Sequence, residues 1–181
     1  VRPFAWRGSE MMGVSAQKTK INVAVATWEW GDYFDPKLKI EGIKLNVSNW
    51  RRPAPNTIPW DSKAAGLYMI CSLSKHEAEK DGYDDALMLD YRDYIAEATG
   101  ANIFFVKNKK IFTPKADCFL NGITRQTVIE IAKKNKIEVF EDYYDLDFLK
   151  HCDEAFLTGT AVEITPVSSI DKFKFEKREI T

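Results

Sequence analysis

The chain has 181 residues, 45% of them hydrophobic and 13% aromatic, enough to build one domain with its own core and part of a second. Its 26 basic and 27 acidic side chains leave a formal net charge of −1, which argues against nucleic acid or an anionic membrane as partner. Three cysteines and two histidines lack the spacing of a disulfide framework or zinc site, which predicts a reducing compartment and no metal. No apolar run of about 18 residues and no signal-peptide pattern occurs, so we expect a cytoplasmic location.

The first 29 residues contain two segments with strand character. Residues 2–4 are extended, and residues 21–28 alternate apolar Ile21, Val23 and Val25 with smaller side chains. Turn-forming and aromatic residues follow and are typical of a linker. We therefore expect residues 1–29 to be the last strands of a truncated small domain, residues 30–39 a linker, and residues 40–181 a large domain.

An unusual lysine follows a proline-rich stretch. Residues 38–47 alternate as a strand, and three prolines between residues 49 and 62 then predict a rigid, extended approach. Asp61 or Ser62 would cap a helix over residues 62–80, so Lys63 would lie in its first turn, where the helix dipole disfavours the charged amine. A neutral lysine amine attacks carbonyls and is a Schiff-base candidate, although most lysines are exposed and have no specific role.

Short strands dominate the remaining sequence. We predict strands over residues 86–90, 94–97, 102–107, 110–113, 137–140, 154–157 and 161–167. Thr124 is predicted to cap a helix that follows Gly122, and residues 146–152 a short helix. Because the strands form hairpins rather than alternating strictly with helices, we predict an α+β fold with a largely antiparallel sheet or pseudo-barrel.

Several motifs occur in a fixed order along the chain. They are Arg2-Pro3, Met12-Gly13-Val14, Trp30-Gly31-Asp32-Tyr33, residues 49–68, Tyr94-Ile95-Ala96-Glu97, Gly122-Ile123-Thr124-Arg125, and residues 158–167. Together they resemble the class IV (fold-type IV) pyridoxal-phosphate aminotransferases, most closely the bacterial branched-chain amino acid aminotransferases. The resemblance implies the large domain of the D-amino acid aminotransferase-like fold and pyridoxal 5′-phosphate as cofactor.

The resemblance also implies a role for each matching residue. Lys63 would hold the cofactor and move the proton between the amino acid Cα and the cofactor C4′. Tyr68 would bond the cofactor's ring oxygen, and Glu97 would keep the pyridine nitrogen protonated. Without the resemblance, Tyr68 could equally fill the core and Glu97 could be a solvated carboxylate at a strand end.

The remaining implied contacts concern the phosphate and the substrate. The phosphate would be held by Ile123, Thr124 and Thr160, although Thr124 could be only a helix cap. Substrate contacts are implied for Arg2, Val14, Trp30, Tyr33, Thr160 and Ala161. We expect Lys63, Tyr68, Glu97, Thr124 and Thr160 to face one cavity.

The implied activity is transfer of amino groups between leucine, isoleucine or valine and 2-oxoglutarate by a homodimer or larger homo-oligomer. One alternative is a D-amino acid aminotransferase or an aminodeoxychorismate lyase of the same fold, which generally lack the block at residues 49–59. Another alternative is that this chain is a non-catalytic domain. Members of the family have an N-terminal segment before the position of Arg2, which supplies further binding residues, and a C-terminal helix after the position of Thr181.

Overall fold

The computed structural model describes residues 1–176 and 179–181, and divides the chain into two compact units, Val1–Asp32 and Tyr33–Thr181. The first unit is a two-stranded antiparallel ribbon of β1 (Arg2–Arg7) and β2 (Ile21–Ala26). Ile21, Val23 and Val25 on one side of β2 are more than half exposed. The ribbon therefore has an apolar surface of its own.

The second unit is built on one large sheet with helices beside it. Its elements are α1 (Leu38–Glu41), β3 (Ile43–Arg52), a 3₁₀ helix (Ala65–Leu67), α2 (Tyr68–Lys80), β4 (Asp85–Asp90), β5 (Ile95–Ala98), β6 (Asn102–Lys107), β7 (Lys110–Pro114), α3 (Ile123–Lys134), β8 (Val139–Asp142), a second 3₁₀ helix (Leu146–His151), β9 (Glu154–Gly159), β10 (Glu163–Ile170) and β11 (Phe173–Lys174).

The sheet is mixed, and antiparallel pairs outnumber parallel ones. Its strand order is β5-β4-β3-β10-β9-β6-β7-β8, with β11 paired to β10. Within the described residues, β3 runs parallel to β4 and to β10, β7 runs parallel to β8, and the other pairs are antiparallel. The predicted α+β fold class is therefore confirmed.

The two faces of the sheet carry different cores. Successive residues of a strand point to opposite faces, so the neighbours Phe104 and Phe105 of β6 separate. Phe105 joins the larger core with Leu87 and Leu157, whereas Phe104 stacks on Phe156 of β9, with ring centroids 5.1 Å apart, in the core that includes Ile129 of α3. This alternation identifies the α3 face of the sheet.

The sequence predictions for residues 38–41 and for the start of the helix over residues 62–80 are wrong. Residues 38–41 form α1 instead of the start of a strand, because the Asp35 side chain accepts the Lys37 N–H at 2.9 Å and a helical turn begins there. Gly42, at φ 83°, ends that turn. The helix predicted over residues 62–80 starts instead as the 3₁₀ helix at Ala65, without a side-chain cap.

No helix within the described part of the chain has the length and apolar character needed to cross a membrane.

Candidate active site

Lys63 lies just before the 3₁₀ helix, and its amine contacts the start of α2. Its Nζ donates a hydrogen bond to the Tyr68 hydroxyl at 2.8 Å. The 3₁₀ helix turns the chain between these two residues and so brings them together. Since Lys63 precedes the helix, its predicted place in the first helical turn is wrong, as is the expected cap by Asp61 or Ser62: the Ser62 hydroxyl instead donates to the Pro59 carbonyl at 2.7 Å.

Glu97 is buried on β5, which excludes the solvated carboxylate that its strand-end position suggested. Burial raises its pKa to about 7, although the positive charges of Arg52 and Lys63 act in the opposite direction. The positive charge of Lys63 thus acts on the Glu97 carboxyl, after that of Arg52. A carboxyl with this pKa changes charge near neutrality, as functional carboxyls often do.

Arg52 lies next to Glu97 and was not predicted as a site residue. The Arg52 Nε lies 3.4 Å from Glu97 Oε1 without hydrogen-bond geometry, and Arg52 Nη1 donates to the Cys71 sulfur at 3.5 Å. Arg52 is only 3% exposed, whereas its neighbour Arg51 is exposed and pairs with Asp93. Strand alternation could have indicated that only one of two adjacent arginines faces inward.

Asn102 connects Glu97 to the start of α3. Its side-chain nitrogen donates to Glu97 Oε2 at 3.4 Å and to the Leu120 carbonyl at 2.9 Å, and its oxygen accepts the Gly122 N–H at 3.2 Å. From the sequence, Asn102 was included only as the first residue of the strand predicted over residues 102–107. A polar amide at the start of a buried strand was the available signal.

The start of α3 leaves backbone donors open. Gly122, not Thr124, is the N-cap, and it supplies no side-chain hydrogen bond, so the prediction that Thr124 caps the helix is wrong. Ile123 and Thr124 are the first two helical residues, whose N–H groups have no acceptor within the helix. Together with the helix dipole, these donors suit an anion.

Arg125 fixes the position of this helix start. It is 1% exposed, and its guanidinium donates to Glu141 at 2.8 Å, to the Pro114 carbonyl at 3.0 Å and to Asn121 at 2.7 Å. These contacts hold α3 to β7 and β8. The start of α3, with its open N–H donors, is therefore held rigidly.

The other predicted site residues lie in several places. Thr160 and Ala161 are exposed in the turn between β9 and β10. The ring of Tyr33 packs edge-on against the ring of Phe34, with centroids 4.8 Å apart. The Tyr33 ring centroid also lies 5.8 Å from Nζ of Lys75, a residue about two turns after Tyr68 on α2. Burial raises the pKa of Tyr33, with Asp85 and Glu79 adding to the effect.

Three predicted substrate residues belong to the first unit. Arg2 is on β1, Val14 is fully exposed in the segment between the two strands, and Trp30 packs against Trp28 at 5.4 Å. Their assignment to a substrate pocket stays a prediction, as does the single cavity shared by the five cofactor residues.

The residues around Glu97 and Lys63 together offer the chemical groups of a candidate cofactor site. It offers an amine next to a hydroxyl, a buried carboxyl that titrates near neutrality, and a helix start with open N–H donors. These groups suit a ligand with a carbonyl carbon, a ring nitrogen and a phosphate, which are the features of pyridoxal 5′-phosphate. The residues present therefore fit that cofactor.

The chain belongs to the class IV aminotransferases, because the family model described as "Amino-transferase class IV" matches residues 1–170. It is 44% identical over 184 residues to the "probable branched-chain-amino-acid aminotransferase" of Rickettsia felis, with 99% of this chain covered. It is also similar to two solved structures. One is the branched-chain amino acid aminotransferase of Escherichia coli, with 40% identity, 97% of this chain covered and a TM-score of 0.92.

The other structure is the branched-chain aminotransferase of the thermophilic archaeon Thermoproteus uzoniensis with norvaline, with 36% identity, 98% of this chain covered and a TM-score of 0.91. The chain spans 62% of the length of the Rickettsia felis relative, 58% of the Escherichia coli chain and 59% of the Thermoproteus uzoniensis chain.

Proposed function

We propose that the protein containing this chain is a pyridoxal-phosphate enzyme that transfers amino groups between branched-chain L-amino acids and 2-oxoglutarate. The observation that carries the proposal is the hydrogen bond from Lys63 Nζ to the Tyr68 hydroxyl, in the electrostatic environment of the buried Glu97. The names of the similar proteins support the substrate class. A cytoplasmic location and a homodimer or larger homo-oligomer belong to the same proposal.

Lys63 has two tasks in this proposal. Its amine would hold the cofactor at the aldehyde carbon, and as a free amine it would move a proton at the substrate α-carbon. The Tyr68 hydroxyl accepts a hydrogen bond from that amine and so fixes its position. When bound, pyridoxal phosphate supplies an electron sink for the negative charge that develops at the α-carbon.

Glu97 would hold the ring nitrogen of the cofactor, and Arg52 lies next to Glu97. The carboxylate of Glu97 would accept a hydrogen bond from the protonated pyridine nitrogen. Burial alone would keep this carboxyl neutral, and the positive charge of Arg52 counters that effect. Asn102 holds the second carboxylate oxygen and limits its rotation.

The remaining residues bind the phosphate and the substrate. Ile123 and Thr124 donate to the phosphate from the start of α3, joined by Thr160. The backbone N–H groups of Thr160 and Ala161 receive the substrate α-carboxylate. For the substrate side chain, we propose contacts with Arg2, Val14, Trp30 and Tyr33.

The test is a substrate panel with a matched lysine control. The purified protein, loaded with cofactor, is incubated with 2-oxoglutarate and either leucine, isoleucine, valine or D-alanine, and glutamate is measured. We expect glutamate from the three branched-chain amino acids, none from Lys63→Ala, and normal amounts from Lys80→Ala, which alters an exposed lysine of α2. Glutamate from D-alanine alone, or full activity of Lys63→Ala, would overturn the proposal.

A further inference from the structure

Thr158 has a buried hydroxyl that no described residue satisfies. The residue is 1% exposed on β9, and its Oγ1 has no hydrogen-bond partner among residues 1–176 and 179–181. Buried hydroxyls are normally bonded, because removing one from water without a partner is unfavourable. The hydroxyls of three other buried threonines each have an acceptor: Asp85 Oδ1 for Thr99, the Ile103 carbonyl for Thr113, and the Val162 carbonyl for Thr165.

The strand register places Thr158 beneath the start of α3. Thr158 pairs with Asn102 of β6, and directly paired residues project from the same face of a sheet. Phe156, two residues before Thr158 on the same face, packs in the core that includes Ile129 of α3. Asn102, opposite Thr158, accepts the N–H of Gly122, the N-cap of α3. The Thr158 side chain therefore lies on the face of the sheet that α3 covers, beside the asparagine that bonds the start of the helix.

Asn102 makes no hydrogen bond to this hydroxyl. Its nitrogen is shared between Glu97 and the Leu120 carbonyl, and its oxygen accepts the Gly122 N–H. Two independent features thus meet at Asn102: open N–H donors at the start of a 12-residue helix, and a buried hydroxyl without a partner among the described residues. Both are donors, and phosphate oxygens are acceptors.

We propose that Thr158 is a further cofactor-binding residue, whose hydroxyl donates a hydrogen bond to the phosphate of pyridoxal 5′-phosphate beside the N–H groups of Ile123 and Thr124. The inference rests on the proposed function. It adds a side chain that was not among the predicted phosphate contacts. A donor already buried in position needs little reordering when the phosphate arrives.

The test compares pyridoxal 5′-phosphate with pyridoxal, which lacks the phosphate. Cofactor-free protein is titrated with each compound, and binding is followed by ligand absorbance. Thr158→Val, which keeps the shape of the side chain, should bind pyridoxal 5′-phosphate about ten- to a hundredfold more weakly, the usual effect of losing a hydrogen bond to a charged group. Its affinity for pyridoxal should stay unchanged. Thr158→Ser, which keeps the hydroxyl, should stay within about threefold of wild type for both compounds.

Thr165→Val is the matched control, because its hydroxyl is buried but already bonded to a carbonyl. It should not change the ratio of the two affinities. Thermal unfolding without ligand gives a second measurement: Thr158→Val should melt at or above the wild-type temperature, since it removes an unpaired polar group, whereas Thr165→Val should melt lower. The inference would be overturned if Thr158→Val kept the wild-type ratio of affinities for pyridoxal 5′-phosphate and pyridoxal, including the case in which both affinities fall equally.

Failure of the proposed function would look different. In that case the wild-type protein itself would bind pyridoxal 5′-phosphate no better than pyridoxal. If Thr158→Val does not fold, Thr158→Ala replaces it in both titrations with the same expected ratio.

Discussion

The side-chain oxygen of Asn102 accepts the Gly122 N–H at 3.2 Å, so one asparagine joins the neighbourhood of Glu97 to the start of α3. This contact depends on the absence of a side chain at Gly122. A Cβ added there would lie 2.5 Å from the same Asn102 oxygen, although the backbone at φ −59° suits any residue. The two ends of the proposed cofactor site are therefore coupled by a steric requirement.

Gly122→Ala should destabilise the protein by about 1–3 kcal/mol, because the overlap forces Asn102 out of its hydrogen bonds. The measurement is the free energy of unfolding in urea. Gly100→Ala is the control, since no heavy atom lies within 4 Å of the added Cβ. Asn102→Ala should lower the free energy of unfolding less in the Gly122→Ala variant than in the wild-type protein. If the two losses of free energy simply add, Asn102 and Gly122 are not coupled.

Glu97→Gln should flatten the dependence of stability on pH. Burial raises the pKa of Glu97 from 4.5 to about 7, so the folded protein binds more protons than the unfolded chain in this range. The free energy of unfolding therefore falls as the pH rises from 4.5 to 7. Urea unfolding at pH 5 and pH 8 should show a smaller fall in the Gln variant; an equal fall would mean that Glu97 titrates normally.

The same substitution should reduce turnover strongly. A neutral amide cannot stabilise a protonated pyridine nitrogen, and loss of such an electrostatic partner costs about 3 kcal/mol, or roughly a hundredfold in rate. Steady-state turnover with leucine and 2-oxoglutarate measures the effect. Glu130→Gln, at an exposed position on α3, should retain wild-type turnover. Near-normal turnover of Glu97→Gln would mean that the Glu97 carboxylate has only a structural role.

Arg125→Met should lower the free energy of unfolding by about 3 kcal/mol. The substitution keeps an apolar stem but removes the donors to Glu141, Asn121 and the Pro114 carbonyl, which leaves that carbonyl without this bond. Lys133→Met, exposed on the same helix, should change stability by less than about 0.5 kcal/mol. Equal effects of the two variants would show that Arg125 does not hold α3.

The sequence predicted most strands of the large sheet because alternation and turn residues are local signals. It failed at Leu38–Glu41, where four residues are too few to separate a strand from a helical turn and the Asp35 side chain decides. It also misplaced the cap of α3 at Thr124. Gly122 takes that position because Asn102, distant in sequence, bonds its N–H.

The site residues were predicted from motifs shared with a known family, not from the spacing of apolar and charged residues. The contact between Lys63 and Tyr68 is local, but it depends on the 3₁₀ helix between them, which the sequence did not predict. The burial of Glu97 beside Arg52 could not, since β4 lies between their strands and only the assembled sheet brings the two charges together. The free hydroxyl of Thr158 likewise depends on the register of β6 and β9.

The most direct test of the account is to identify the lysine that binds the cofactor. Protein loaded with pyridoxal 5′-phosphate is treated with borohydride, which makes the attachment permanent, then digested and mapped by mass spectrometry. We predict the phosphopyridoxyl label on Lys63 and its loss in Lys63→Ala, while Lys80→Ala keeps it. A label on another lysine of the wild-type protein, with Lys63 unmodified, would contradict the account.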